Sequence, residues 1–134
     1  MEELGIPGHA SKRPSMHRLQ QLLRELGLSF EAEGETVRIH VGGIVLELSD
    51  YGEEIQVQVE VVPEPAASPE ENARSFYLFG LASALIRAEE YGVERIAGYT
   101  MIWASRSLGS LEEAVNLLEG AVMRVASAAS NPKI

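Results

Sequence analysis

The chain has 134 residues, a formal net charge of −9 and no cysteine, with 46% hydrophobic and 23% charged residues. These values are typical of one globular domain, and they exclude a disulfide framework and thiolate chemistry. Because nucleic acids and anionic membranes attract clustered lysine and arginine, a chain with 11 basic and 20 acidic residues is not expected to bind either.

Residues 1–14 are predicted to form a flexible arm, because they contain two glycines and two prolines and no apolar run like that of a signal peptide. No later segment has the length and composition of a membrane anchor, so we expect a cytoplasmic protein. Nine arginines against two lysines, without cysteine, are compatible with a thermophilic origin. The folded domain is predicted over residues 15–128, followed by a tail over 129–134.

The first predicted helix begins at Ser15 as N-cap and ends at Gly27, which takes the left-handed position after the last turn. Four strands of an antiparallel meander follow, because apolar and polar residues alternate from Leu28 to Val61. This alternation places the apolar side chains on one face of the sheet and leaves the other face wet. A slip of one residue would destroy that separation.

Turn signals predict how the four strands pair. The glycine pair at residues 42–43 predicts a two-residue hairpin, which pairs Val41 with Ile44. A turn at Glu33-Gly34 would pair Phe30 with Val37, and a four-residue loop at 50–53 would pair Leu48 with Ile55.

A second helix is predicted from the capping box at Ser68 to Tyr91. Its eleven residues 76–86 contain one polar side chain, Ser83. A helix that is apolar all round must be covered on more than one side, and this stretch is too short to span a membrane. We therefore expect it to be deeply buried or shared with a partner.

The segment 93–105 is predicted to be a fifth strand, because its glycine, β-branched and aromatic content favours a strand over continued helix, which is the alternative. Tyr99, Met101 and Trp103 would form an apolar stripe on one face of it. A last helix begins at a second capping box at Ser110. The predicted fold is an α+β two-layer sandwich in the order α-β-β-β-β-α-β-α, with helices on one face of the sheet.

No catalytic or metal-binding constellation is found, and no cofactor is expected. His9, His17 and His40 are scattered, without a second ligand at metal spacing. Helix capping accounts for Ser68 and Ser110, which leaves no candidate nucleophile. His40 would join Arg38 and Glu47 in a polar patch on the wet face, best explained as a cross-strand ion pair.

The order of helices and strands over residues 15–128 resembles the small α/β sandwiches of type III secretion chaperones and YbjN-like proteins. The chain differs from the secretion chaperones in placing four strands before the middle helix and one after it. The resemblance implies an acidic dimer that binds polypeptide rather than a catalyst, and it assigns no functional residues.

Two function classes follow from this sequence. The first is a non-catalytic, homodimeric protein-binding or assembly domain of chaperone or adaptor type, possessing a surface shared by the second helix and fifth strand. The residues predicted for that surface are Phe76, Phe79, Tyr99, Met101 and Trp103, which belong to types enriched at interfaces.

The alternative is a small-molecule-binding protein or enzyme, with a pocket between sheet and helices to which Arg74, Arg106 and Tyr77 would contribute polar groups. A third reading is a subunit of a hetero-oligomer that is poorly soluble alone.

Overall fold

The computed structural model describes residues 14–131, which form three helices and six strands. The predicted arm, apart from Pro14, and residues 132–134 of the predicted tail lie outside the described residues. In chain order the elements are α1 (Pro14–Glu25), β1 (Ser29–Glu33), β2 (Thr36–Val41), β3 (Ile44–Asp50), β4 (Ile55–Val61), α2 (Pro69–Leu85), β5 (Glu90–Ile96), β6 (Tyr99–Leu108) and α3 (Leu111–Ala129).

All six strands belong to one antiparallel sheet with the order β1-β2-β3-β4-β6-β5. After β4 the chain passes through α2 and returns as a hairpin, and the second strand of that hairpin, β6, pairs with β4. The three helices pack on one side of the sheet, which we call the inner face, and the opposite side is the outer face. The predicted α+β class, with helices on one face of a meander sheet, is confirmed.

The core lies between the inner face and the helices. The apolar residues of β2, β3 and β4 on that face are almost inaccessible to solvent, as the alternation predicted. Burial of such side chains contributes roughly 1.5–3 kcal/mol each and is the main stabilising term of the fold. The buried strand residues are Val37, Ile39, Val41, Ile44, Leu46, Leu48, Ile55, Val57, Val59 and Val61, and helical partners include Leu19, Leu23, Leu78, Leu118 and Val122.

The hairpin between β2 and β3 has the predicted register, with Val41 opposite Ile44. Gly42 and Gly43 both have positive φ angles, 57° and 88°, which is the geometry of a two-residue turn that only glycine adopts without strain. Helix α2 packs tightly on this turn, because a β-carbon on Gly42 would lie 2.5 Å from the side chain of Leu78.

Two other predicted registers are wrong by two residues. Phe30 lies opposite Ile39 rather than Val37, because the turn falls at Gly34-Glu35. Leu48 lies opposite Val57 rather than Ile55, because the β3–β4 loop spans residues 51–54. A shift of two leaves every side chain on its own face, so the apolar alternation that fixed the faces does not distinguish these registers.

The ends of the first and last helices differ in part from the prediction. The Schellman ending of α1 is confirmed, with Gly27 at φ 70° and the Leu28 amide donating to the Leu23 carbonyl over 3.0 Å. Ser15, predicted as the N-cap, lies inside α1, and its hydroxyl bonds to Glu112. Helix α3 ends at Ala129, the first residue of the predicted tail.

Helix α2 begins at the predicted capping box and ends at Leu85, six residues before the predicted end at Tyr91. Its last turn closes in a Schellman pattern, with the Ala88 amide donating to the Ser83 carbonyl over 3.0 Å. The left-handed residue of that pattern is Arg87, at φ 56°, where glycine is usual. The sequence therefore carries no glycine signal at the place where this helix stops.

The segment 93–105, predicted as one strand, contains the end of β5, the turn and most of β6, which together form a hairpin. Ala97 and Gly98, at φ 51° and 85°, form the two-residue turn between β5 and β6. Glu90 and Tyr91, predicted as the end of a helix, are the first residues of β5 instead. This β5–β6 hairpin forms one end of the sheet.

Candidate interaction surface

The β5–β6 hairpin concentrates exposed apolar side chains. Tyr91, Val93, Ile96 and Tyr99 are 64%, 65%, 50% and 53% exposed. Every residue of β5 except Gly92 is exposed, in contrast to the buried strands of the sheet centre. Large apolar side chains gathered at one place on a surface mark an interaction site.

The cross-strand register assigns these side chains to the two faces. Val93 lies opposite Ile102, and Tyr91 lies opposite Ala104. The side chains of Val93 and Tyr91 therefore point to the inner face, at a part of it that the helices do not cover. Ile96 lies opposite Tyr99, on the outer face. The hairpin therefore has exposed apolar side chains on both of its sides, beside the charged Arg95 on the inner face and Glu90 and Glu94 on the outer face.

Trp103 lies on the outer face, directly opposite Gly92. A β-carbon on Gly92 would overlap the indole ring. The ring packs on β5 at this position because glycine has no side chain. The indole Nε1 is buried and has no hydrogen-bond partner among the described residues. Trp103 is therefore half-buried, because its ring packs against the neighbouring strand β5.

The five residues predicted for an interface fall into two separate groups. Tyr99, Met101 and Trp103 alternate with core residues of β6 and lie together on the outer face. Phe76 and Phe79 belong to α2, in the helical layer on the other side of the sheet. Phe76 is exposed, and Phe79 is half-buried against the core. The structure brings the strand residues together and does not bring the helix residues to them.

Sequence reasoning missed Tyr91 and Val93. Both fall where the predicted helix ended or the strand had only begun, and both are more exposed than any of the five predicted residues. Their signal was the alternation of an aromatic and a β-branched residue two apart, which fits a strand as well as a helix end.

The outer face carries an ion cluster near its centre. Arg38 lies opposite Glu47, as predicted, and donates to it over 2.6 Å. It also bonds to Glu60 at 3.3 Å, and Glu60 is buried. Desolvation lowers the pKa of Arg38, and the hydrogen bonds to the two carboxylates outweigh it, so the net pKa is raised. His40 bonds to Glu31 over 2.9 Å, and this cluster ties β1, β2, β3 and β4 together.

A cavity of about 320 Å³ opens at the end of the helical layer, between β6 and α3. Its lining includes Arg87, Arg106 and Glu113, and the Nε of Arg106 is buried without a hydrogen-bond partner among the described residues. Of the three polar residues predicted for a pocket, Arg106 alone lines this cavity. Arg74 instead donates to the carbonyl of Ala129 at the end of α3, and Tyr77 is exposed on α2.

The two candidate serines have structural roles. Ser68 accepts a hydrogen bond from the Glu71 amide, and Glu71 returns one to the Ser68 amide, which completes the predicted capping box. Ser110 caps α3 by accepting from the Glu113 amide. Within residues 14–131, no group of three histidine, aspartate or glutamate side chains is placed to hold a metal ion.

No family model matches the chain, and no curated protein is similar to it in sequence. Among solved structures, YbjN, a proposed transcription regulator from E. coli, is similar with a TM-score of 0.44 and 14% identity, over 85% of this chain and 87% of that one. This is a weak resemblance of fold to the YbjN-like proteins named from the element order, and it assigns no function to any residue here. None of the described helices has the length and hydropathy needed to cross a membrane, and the predicted cytoplasmic location stays a prediction.

Proposed function

We propose that this chain is a non-catalytic protein-binding or assembly domain and that the β5–β6 hairpin is its binding surface. One observation carries the proposal. Of the seven large apolar side chains at least half exposed among the described residues, four lie within residues 91–99. Such a concentration at one end of a sheet is typical of protein interaction sites and has no role in the core.

The mode of binding follows from the backbone. Strand β5 pairs with β6 on one side, and among residues 14–131 no strand pairs with its other side. An extended polypeptide added there would gain main-chain hydrogen bonds, and the side chains of Tyr91 and Val93 would contact it on the inner face. The surface proposed keeps Tyr99, Met101 and Trp103 from the sequence prediction and replaces Phe76 and Phe79 with the residues of β5.

A peptide-display selection on the purified chain tests this function. We expect enriched peptides to be extended and apolar, and we expect Val93→Lys to weaken their binding roughly tenfold or more, because a charge in a desolvated contact costs over 1 kcal/mol. Tyr51→Lys is the matched control, since Tyr51 is equally exposed, in the β3–β4 loop. Peptide binding that Val93→Lys leaves unchanged, or a failure to select any peptide with a chain that is monomeric in solution, would count against the hairpin as a polypeptide-binding surface.

A second candidate function rests on Arg106. A guanidinium nitrogen buried without a partner is costly, and a bound anion at the cavity would supply the missing acceptor. Arg87 adds a second positive charge to the same cavity and Glu113 adds one negative charge, so the lining carries a net charge of plus one. The ligand class that this geometry favours is a small carboxylate or phosphate compound.

Thermal denaturation in phosphate and in citrate tests the second candidate. A specific anion should raise the melting temperature of the wild-type chain by mass action and should not raise that of Arg106→Met. Arg124→Met removes an equal charge from α3 and serves as the control. If all three proteins respond equally, the anion acts on net charge and the cavity is not a site.

A further inference from the structure

The most exposed strand of the molecule is also an edge of its sheet. Strand β5 has seven residues, lies beyond β6 in the strand order, and has exposed side chains except at Gly92. An edge of this length with apolar side chains is a template for pairing with another strand. Among the described strands, β1 and β5 lie at the edges of the sheet, and β1 is shorter and lies beside α1, so the candidate for that strand is β5 of a second copy.

Two copies of β5 that pair about a two-fold axis perpendicular to the sheet are antiparallel, and each residue lies opposite a residue of the same face. Registers therefore differ by which residue lies on the axis. With Val93 on the axis, all seven residues from Glu90 to Ile96 are paired, because the strand is symmetric about its fourth residue. Any other centre shortens the pairing.

Charge selects the same register. With Val93 on the axis, Glu94 lies opposite Gly92, Glu90 opposite Ile96, and Arg95 opposite Tyr91, so no two like charges face each other. A centre on Gly92 places Glu90 opposite Glu94 twice, and a centre on Glu94 places that residue opposite itself. Like charges directly opposite destabilise a strand pair, so length and charge agree on one register.

The Val93-centred pair also buries the most exposed apolar side chains of β5. Tyr91, Val93 and Arg95 lie on the inner face, as their partners Ala104, Ile102 and Thr100 show. In the pair, the two Val93 side chains meet on the axis. Arg95 is opposite the partner copy's Tyr91, and its guanidinium, which donates to Thr100 and Gly98 of its own hairpin, would stand beside that ring as a favourable cation and aromatic contact.

We infer that a second copy of this chain docks on β5, strand to strand and antiparallel, with Val93 on the two-fold axis. The result is a dimer with one continuous sheet of two times six strands. The inference rests on the proposed function, since it assigns the occupant of the hairpin surface, and it gives the predicted homodimer a definite geometry.

Single-cysteine crosslinking reads the register directly, because the full chain has no cysteine of its own. Residues opposite each other in an antiparallel pair have β-carbons about 4.5–5.5 Å apart, close enough for a disulfide with slight adjustment. Under mild oxidation we expect Val93→Cys to form a covalent dimer. We expect Tyr91→Cys and Arg95→Cys each to crosslink poorly alone and well when mixed. Tyr51→Cys is the exposed control.

Light scattering over a range of concentrations, with Val93→Glu beside the wild type, gives the affinity. We expect a wild-type dimer and a roughly 100-fold weaker association for Val93→Glu, which places two like charges together on the axis. Circular dichroism and urea unfolding of that variant check that the monomer remains folded.

A wild-type monomer, or a dimer that Val93→Cys does not crosslink, would overturn the inference. The same measurements separate its failure from that of the proposed function. A chain that stays monomeric but binds selected peptides at β5 retains the function and loses the second copy as occupant. A chain that neither dimerises nor binds peptide loses both.

Discussion

The two edges of the sheet differ in length, charge and cover. Strand β1 has five residues, two of them the glutamates Glu31 and Glu33, and helix α1 packs beside it. Strand β5 has seven residues and charges of both signs, from Glu90, Glu94 and Arg95. Its Tyr91 and Val93 lie on a part of the inner face that no described helix covers, and the strand is exposed almost throughout. Short edges whose charges are all of one sign resist pairing, and long edges with exposed apolar side chains invite it. If β5 pairs with a second copy as we infer, a β1 edge that does not pair would limit assembly to pairs rather than chains.

Helix α1 lies beside β1, and side-chain contacts with α3 and with β1 fix its position. Arg18 of α1 reaches Glu112, Asn116 and Glu119 of α3, at 3.1, 2.8 and 3.2 Å. Arg24 of the same helix lies over the ring of Phe30 in β1, 5.7 Å from its centre. At the other edge, the helix that precedes β5 ends at Leu85 and leaves that strand bare.

The largest expected effect comes from removing the negative charges of β1. We expect Glu31→Thr combined with Glu33→Val to convert a closed pair into open-ended assemblies, because each copy then has two edges that accept a strand. Light scattering should show masses well beyond the dimer. The control, Glu53→Thr with Glu70→Thr, removes the same charge at positions away from both edges. Equal masses for the two double variants would mean that the charges of β1 do not prevent strand pairing there.

The next effect concerns the packing of Trp103 on β5. We expect Gly92→Ala to lower the free energy of unfolding by roughly 2 kcal/mol, because a β-carbon there overlaps the indole ring. Gly34→Ala, in the turn after β1, has open space but a φ of 59°, so its cost of about 1 kcal/mol is one of backbone strain.

Fluorescence separates the two glycine variants, since Trp103 is the one tryptophan of the chain. Its emission should shift in Gly92→Ala and stay unchanged in Gly34→Ala. An unshifted spectrum in Gly92→Ala, at unchanged stability, would contradict the close contact between ring and strand.

The same contrast between edges explains how far the fold was predictable from sequence. Apolar and polar residues of the β1 to β4 meander alternate, with Val45 as an exception in β3, and that pattern predicts its faces. The Gly42-Gly43 pair predicts the hairpin. The β5 edge was harder, because Arg87 takes the left-handed position where glycine would have signalled the end of α2. Without that signal the helix was extended over the first residues of β5, and one strand was predicted where a hairpin exists.

The candidate surface was predictable in part for a related reason. Residue type pointed to Tyr99, Met101 and Trp103, which do share the outer face of β6. Type alone did not show that Phe79 of α2 packs against the core on the other side of the sheet. Exposure of an apolar residue depends on which strands lie beside it, and the place of β5 at the edge came only with the topology.

A smaller effect is expected at the turn that joins β5 to β6. Ala97 has a φ of 51°, a conformation that asparagine adopts more readily than alanine, and Asn-Gly is the preferred pair for this turn. We expect Ala97→Asn to raise the free energy of unfolding by roughly 0.5 kcal/mol, measured as a higher urea midpoint at constant slope. Ala97→Val should lower it, since a β-branched side chain is disfavoured at positive φ. The opposite order of the two variants would contradict the turn geometry.

The smallest effect is a pH dependence in the contact that holds α1 over β1. The hydrogen bond from Ser15, followed by that from Arg18, lowers the pKa of Glu112, which is exposed at the start of α3. A carboxyl group with a lower pKa in the folded state binds protons more readily when unfolded, so it stabilises the fold above the usual glutamate range and ceases to do so as the pH falls through the lowered pKa.

We therefore expect the stability difference between the wild type and Glu112→Gln to be constant near neutral pH and to shrink below about pH 4. Ser15→Ala removes the main donor, so its own acid loss should be shallower than that of the wild type. A difference that persists unchanged into acid would mean that the two helices are held by packing alone. Helix α1 would then stay beside β1 because its apolar side chains Met16, Leu19 and Leu23 pack in the core, and not because of its polar contacts with α3.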